Sequence, residues 1–258
     1  INWRFRYSEW ASQHPHPWMR ALGNVLAPEN RQAFPIMVFS VIGITGAVAF
    51  ALIVERLLAG ETLLNSDLSF SNYLMSLRNQ PGDNIMVAIT MLGDGTVMTV
   101  LSLAIIGWLL YRRAWSEAAA AALAIGAAAI FVPFMKSVMQ RPRPGDFYSG
   151  AEAFSFPSGH ATMATVIIGV LAVLLGLAWR PWSKALLYAT LSLLVAAIAF
   201  SRLYLGAHWP SDVLAGISFA LMMTAGFALA VVGSRREIVQ PVGLLVTAMI
   251  AFLGASAL

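Results

Sequence analysis

Cysteine is absent from the 258 residues. Disulfides and thiolate metal sites are therefore excluded, and the redox state of the compartment is left undecided. Charge is scarce: Asp, Glu, Lys and Arg make up 11% of the chain, against 59% hydrophobic residues and a mean hydropathy of +0.75. A soluble domain of this length has no core large enough to hide so much apolar side chain, which leaves the bilayer as the solvent. The net charge of +4 does not point to nucleic acid, because Lys and Arg fall singly or in pairs between apolar runs. Also missing are an initial methionine and the basic, apolar, small-residue order of a signal peptide, so the chain is expected to be a processed product or a segment of a longer protein.

Six apolar runs are long enough, or nearly so, to cross about 30 Å of hydrocarbon as helices. They are 35–58, 86–111, 117–135, 161–179, 184–200 and 213–233. A seventh, Pro241 to Leu258, is a candidate truncated span, and Gly93-Asp94-Gly95 suggests that the membrane part of the second begins only after it. The fold class expected is all-α: a polytopic bundle of six transmembrane helices over 34–236, with 237–258 as a candidate seventh. Residues 1–33 mix Trp3, Arg4, Phe5, Arg6, Trp10, Trp18 and Arg20 as interfacial segments do. They are expected to lie at headgroup level or to be the tail of an upstream domain. His14-Pro15-His16-Pro17 reads as a loop, since no third metal ligand stands nearby.

With the amino terminus on the cytoplasmic side, inward segments carry ten of the sixteen basic residues, among them Arg31, Arg112, Arg113, Arg180, Lys184, Arg235 and Arg236. This satisfies the positive-inside rule and predicts that the other loops face outward. Four of the six outward basic residues fall at 136–143 and 202, beside His160 and His208. A charge or histidine at a span end is expensive unless it snorkels, packs or performs a task.

Three motifs lie there in order: Lys136-x6-Arg143-Pro144, Pro157-Ser158-Gly159-His160, and Ser201-Arg202-x5-His208-x3-Asp212. Together they resemble the three-part signature of the type 2 phosphatidic acid phosphatase superfamily, integral membrane lipid phosphatases related in active-site plan to soluble acid phosphatases and vanadium haloperoxidases. The signature covers 136–212, and the six-span layout extends the similarity to about 35–233.

The residue types suit phosphoryl transfer, which needs cations on the equatorial oxygens, a nucleophile and a proton for the leaving oxygen. Lys136, Arg143 and Arg202 supply charge. Ser158 and Gly159 open a helix whose amino terminus can receive an anion. If the chain after Ala207 is helical, His208 and Asp212 share one face, so the carboxylate can hold one ring nitrogen and aim the other at phosphorus. The resemblance implies that His208 is the nucleophile, Asp212 its orienter and His160 the general acid. Arg141 lies off the family spacing and is expected to support or steer phosphate, with Ser201 in a similar supporting place. Asp94 is expected to cap or line the outer mouth.

No cofactor and no metal are implied, because three cationic side chains already do the charge work and no carboxylate cluster is evident. The partners expected are the membrane and a lipid phosphate substrate within it, with an upstream fused domain or a homo-oligomer also open, and no nucleic acid. The linker from Lys136 to His160 holds Phe147, Tyr148, Phe154 and Phe156 but no inserted domain. The pocket should therefore lie near the bilayer surface and admit undecaprenyl diphosphate, phosphatidylglycerol phosphate or phosphatidic acid. A lipid phosphotransferase using the same phosphohistidine, and a non-catalytic lipid-binding or transport protein, are the alternatives.

Overall fold

In the computed structural model, the described residues are 3–27, 32–145, 154–177, 181–233 and 239–257. Phe147 and Tyr148 of the linker, and Arg31, Arg180, Arg235 and Arg236 of the orienting charges, lie outside them. The described chain is helical: α1 (Trp3–Ser12), α2 (Pro17–Leu26), α3 (Ala33–Ala59), α4 (Glu61–Ser76), α5 (Gln80–Met91), α6 (Gly95–Tyr111), α7 (Trp115–Met139), α8 (Gly159–Gly176), α9 (Pro181–Tyr204), α10 (Pro210–Val231) and α11 (Pro241–Ser256). Among the described residues, six stretches are long and apolar enough to cross a membrane: α3, α5 with α6, α7, α8, α9 and α10.

Burial orders these helices. In its most apolar window α8 is 72% buried and α3 only 6%, so α8 is the core of the bundle and α3 a peripheral helix. α10 packs against α3, α7 and α8. There the Phe131 and Phe219 rings stack at 3.8 Å, with Phe50 of α3 meeting both. Leu103, Leu123, Ile130 and Leu193 remain exposed, as side chains facing lipid should.

The structure departs from the sequence reading in several places. The second candidate span runs over Gln80–Tyr111 and is broken at 92–94, so a helix also precedes Gly93-Asp94-Gly95. Its two halves are capped separately: Asn79 accepts from the Gly82 N–H at 2.8 Å, and Asp94 from the Thr96 N–H at 2.8 Å. α4 occupies a stretch whose buried face, Asp67, Ser71 and Leu74, is too polar to register as an apolar run. Residues 1–33 hold α1 and α2, which pack on each other. α11, about 24 Å long at 1.5 Å per residue, packs along α6 and α8, and the Trp108 indole N–H donates to the Val239 carbonyl at 2.9 Å.

Candidate active site

The carboxyl ends of α7 and α9 and the amino ends of α8 and α10 meet at one end of the bundle, beside α4 and the α5–α6 break. Gly216 sets how closely α10 can approach α8. A Cβ there would lie 2.6 Å from Thr162 Oγ1 and 2.9 Å from the Ser158 carbonyl oxygen. The Ser158 N–H donates to the Asp212 carbonyl at 3.0 Å, locking the start of α8 to the first turn of α10.

His208 lies in the connection between α9 and α10 and is 2% exposed. Its Nδ1 is 3.6 Å from Asp212 Oδ2, and its Nε2 is 3.2 Å from Arg143 Nη1. A guanidinium only donates, so Nε2 is the acceptor and Nδ1 carries the proton; Nδ1 faces Asp212 without a hydrogen bond to it among the described residues. Burial pushes the ring down to about 4 against the opposing pull of Asp212, and Arg143 and Arg202 add to the downward push. The imidazole is thus neutral near pH 7, with a lone pair on the outward nitrogen.

Around that nitrogen lie donors with capacity to spare. Ser158 Oγ and Arg202 Nε are buried and have no hydrogen-bond partner among the described residues. Arg202 is held through Nη1, which donates to Thr90 Oγ1 at 2.9 Å. Ser158 is the N-cap of α8, so the first-turn N–H groups of Gly159 and its neighbours have no acceptor within the helix. His160 lies within electrostatic reach of Arg202, His208, Asp94 and Lys136. Gly93 lets Ile198 pack close beside the ring: a Cβ there would stand 2.5 Å from Ile198 Cγ2 and in ordinary contact, 3.4 Å, with His160 Cδ2.

Arg141 and Arg143 divide between two tasks. Arg143 Nη1 donates to the Ala207 carbonyl at 2.7 Å beside His208. Arg141, 9% exposed, turns to carboxylates: Nη1 reaches Asp212 Oδ1 at 2.6 Å and Ser211 Oγ at 2.7 Å, and Nη2 reaches Asp67 Oδ2 at 2.6 Å. Trp209 sits between them, its ring 5.4 Å from the Arg141 guanidinium carbon and its indole N–H on the Pro142 carbonyl at 2.8 Å. Ser201 Oγ donates to Ile198 O at 2.7 Å within its own helix, and Asp94 caps α6.

Asp67, Thr90, Trp209 and Ser211 were not singled out in the sequence. Asp67 carried one signal, a carboxylate inside a weakly polar stretch that is a helix in the structure; Thr90 carried none. Among the described residues no group of His, Asp and Glu is arranged to hold a metal ion.

The PAP2 superfamily model matches residues 117–236. Phosphatidylglycerophosphatase B of Bacillus subtilis is 28% identical over 179 residues, covering 67% of this chain and 87% of that protein. Decaprenylphosphoryl-5-phosphoribose phosphatase of Mycobacterium tuberculosis is 32% identical over 148 residues, covering 51% of this chain and 75% of that one. Among solved structures, a transmembrane PAP2-type phosphatidylglycerolphosphate phosphatase from Bacillus subtilis superposes with a TM-score of 0.59 and 25% identity, covering 70% of this chain and 92% of its own. The matched region holds the end of α7, the start of α8 and the His208–Asp212 turn, and with these relatives it establishes that the chain belongs to the PAP2 superfamily and is an integral membrane phosphate ester hydrolase.

Proposed function

We propose that the chain is a lipid phosphatase that works through a phosphohistidine on His208. The observation that carries this reading is unspent bonding capacity at this end of the bundle: Ser158 Oγ and Arg202 Nε are buried donors without partners among the described residues, Ser158 caps the amino terminus of α8, and Arg143 Nη1 is 3.2 Å from His208 Nε2. A phosphoryl group satisfies all of them at once.

In the first step the Nε2 lone pair forms a bond to phosphorus as the bond to the leaving oxygen breaks, and His160 gives that oxygen a proton. The ring becomes cationic, and Asp212 stabilises it through the Nδ1 proton. In the second step water attacks phosphorus, returns a proton to His160, and the N–P bond breaks to release inorganic phosphate. Lys136, Arg143 and Arg202 carry the charge on the equatorial oxygens, so no step calls for a metal ion.

The substrate is a lipid phosphate or diphosphate presented from the bilayer surface, because the site lies at the end of apolar helices within a membrane bundle. Undecaprenyl diphosphate stands first, with phosphatidylglycerol phosphate and phosphatidic acid beside it. The relatives support this range, one being named for a phosphatidylglycerol phosphate and another for a polyprenyl-linked phosphate. The phosphatase unit is 34–236, with 1–33 at the interface and 237–258 as an appended apolar helix. The positive-inside distribution supports an outward-facing site, and we place the protein in a bacterial inner membrane on that reading.

The test is release of free phosphate by the purified protein from those three lipids, with chelator present and His208→Ala alongside. Release that vanishes in the variant is expected. Release that persists in the variant overturns the reading, and turnover without free phosphate assigns the site to a phosphotransferase.

A further inference from the structure

We infer that Asp67 of α4 is a positioning residue for His208, acting through Arg141 on Asp212. The inference rests on the reading of His208 as nucleophile. It begins with the cost of burying a carboxylate: an ionised Asp 2% exposed is tolerated only when its oxygens are fully engaged. Asp67 Oδ1 accepts from the Ser211 backbone N–H at 3.0 Å, and Oδ2 accepts from Arg141 Nη2 and the Ser211 hydroxyl. Each of these partners leads directly to the nucleophile.

The first link is geometric. Ser211 is the second residue of α10, so Asp67 takes one of the amino-terminal donors that the helix cannot satisfy itself. A carboxylate from α4 thus caps α10 at the turn that carries Asp212 and follows His208. Negative charge at this point also complements the helix dipole.

The second link is electrostatic. Asp212 Oδ1 is bonded to Arg141, while Oδ2 takes the Trp209 N–H at 3.0 Å and faces His208 Nδ1. If Arg141 had Asp212 as its only anion, the pair would be neutral and Asp212 would offer little to the cationic ring of a phosphohistidine. Asp67 supplies the second negative charge. Two carboxylates then share one guanidinium, which leaves the cluster a net unit of negative charge for the imidazolium. His208 otherwise faces cations, Arg143 and Arg202, together with His160 from α8. The hydrogen bonds described for Asp67 go to Arg141 and Ser211.

Asp67→Asn isolates the electrostatic link, because its amide oxygen can still accept from Ser211. The expected result is a kcat roughly 10- to 100-fold lower, the worth of one charge-assisted interaction in the transition state. KM should stay within about twofold, and inorganic vanadate, a phosphate analogue, should still bind. The pair Asp67→Asn/Arg141→Met decides between positioning and structure. With Arg141 gone Asp212 keeps its whole charge, so the pair should turn over no slower than whichever single variant still binds vanadate. Merely structural roles would add, making the pair slower. Wild-type kcat in Asp67→Asn, a pair slower than either single, or vanadate binding lost in all three variants would overturn the inference. His208→Ala is measured alongside: activity there defeats the underlying reading, whereas an inactive His208→Ala with wild-type Asp67→Asn defeats this inference alone.

Discussion

Arg143 Nη1 lies 3.2 Å from His208 Nε2, so a guanidinium faces the nitrogen that the proposed mechanism uses to attack phosphorus. The same nitrogen donates to the Ala207 carbonyl at 2.7 Å, which ties the cation to the loop carrying the nucleophile. The planar fork can hold that carbonyl and a phosphoryl oxygen together, whereas an ammonium group is a single point charge. Arg143→Lys should therefore lower kcat/KM about 100-fold, with most of the loss in kcat, as steady-state phosphate release would show.

His208→Ala should abolish turnover. Asp212→Asn should slow it about 10²- to 10⁴-fold, since the amide can hold the ring in the wrong tautomer and carries no charge for the imidazolium. Alkaline quenching of a reaction with a radiolabelled phosphate ester should trap a base-stable, acid-labile phosphoenzyme in wild-type protein. Label recovered equally in His208→Ala would refute the assignment.

The His208 ring titrates at about 4, chiefly because it is buried. Attack requires the neutral ring, which is the form present above that value. The enzyme's acid limb in kcat/KM should accordingly fall as pH drops through about 4, far below the value near 6.5 of an unburied histidine. An acid limb that persists near 6.5 with a substrate whose own ionisation lies elsewhere would contradict the burial of His208.

The spans and the three motifs were legible because each rests on a local pattern: long apolar runs, and fixed residue types at fixed offsets ending at His208 and Asp212. α4 was not, since it follows α3 after Gly60, whose φ of 101° lets the chain turn, and its buried face is led by a carboxylate. The value of Asp67 depends on Arg141, 74 residues away, and Thr90 matters only because Arg202 reaches it from α9. Spacing favoured Arg143 over Arg141 without saying what Arg141 does. Its task appears only once α4 and α10 bring two carboxylates to it.

Gly216 offers a test of how tightly the two catalytic helices are set. A methyl group there would meet the Ser158 carbonyl at 2.9 Å, and backbone cannot swing aside as a side-chain tip can. Gly216→Ala should push α10 from α8, destabilise the protein by about 1–3 kcal/mol in a detergent melt and lower kcat several-fold. An unchanged melt and rate would mean that the Ser158–Asp212 contact is not needed in that register.

Orientation can be read from single cysteines, because the chain has none of its own. Ser69 is exposed on α4 near the site, and Ser116 is exposed at the opposite end, just inside α7. A membrane-impermeant maleimide added to intact cells should label Ser69→Cys and leave Ser116→Cys unmodified until the membrane is opened. The reverse pattern would put His208 and its phosphate donors on the cytoplasmic face, and the basic residues 112 and 113 outside, against the positive-inside rule.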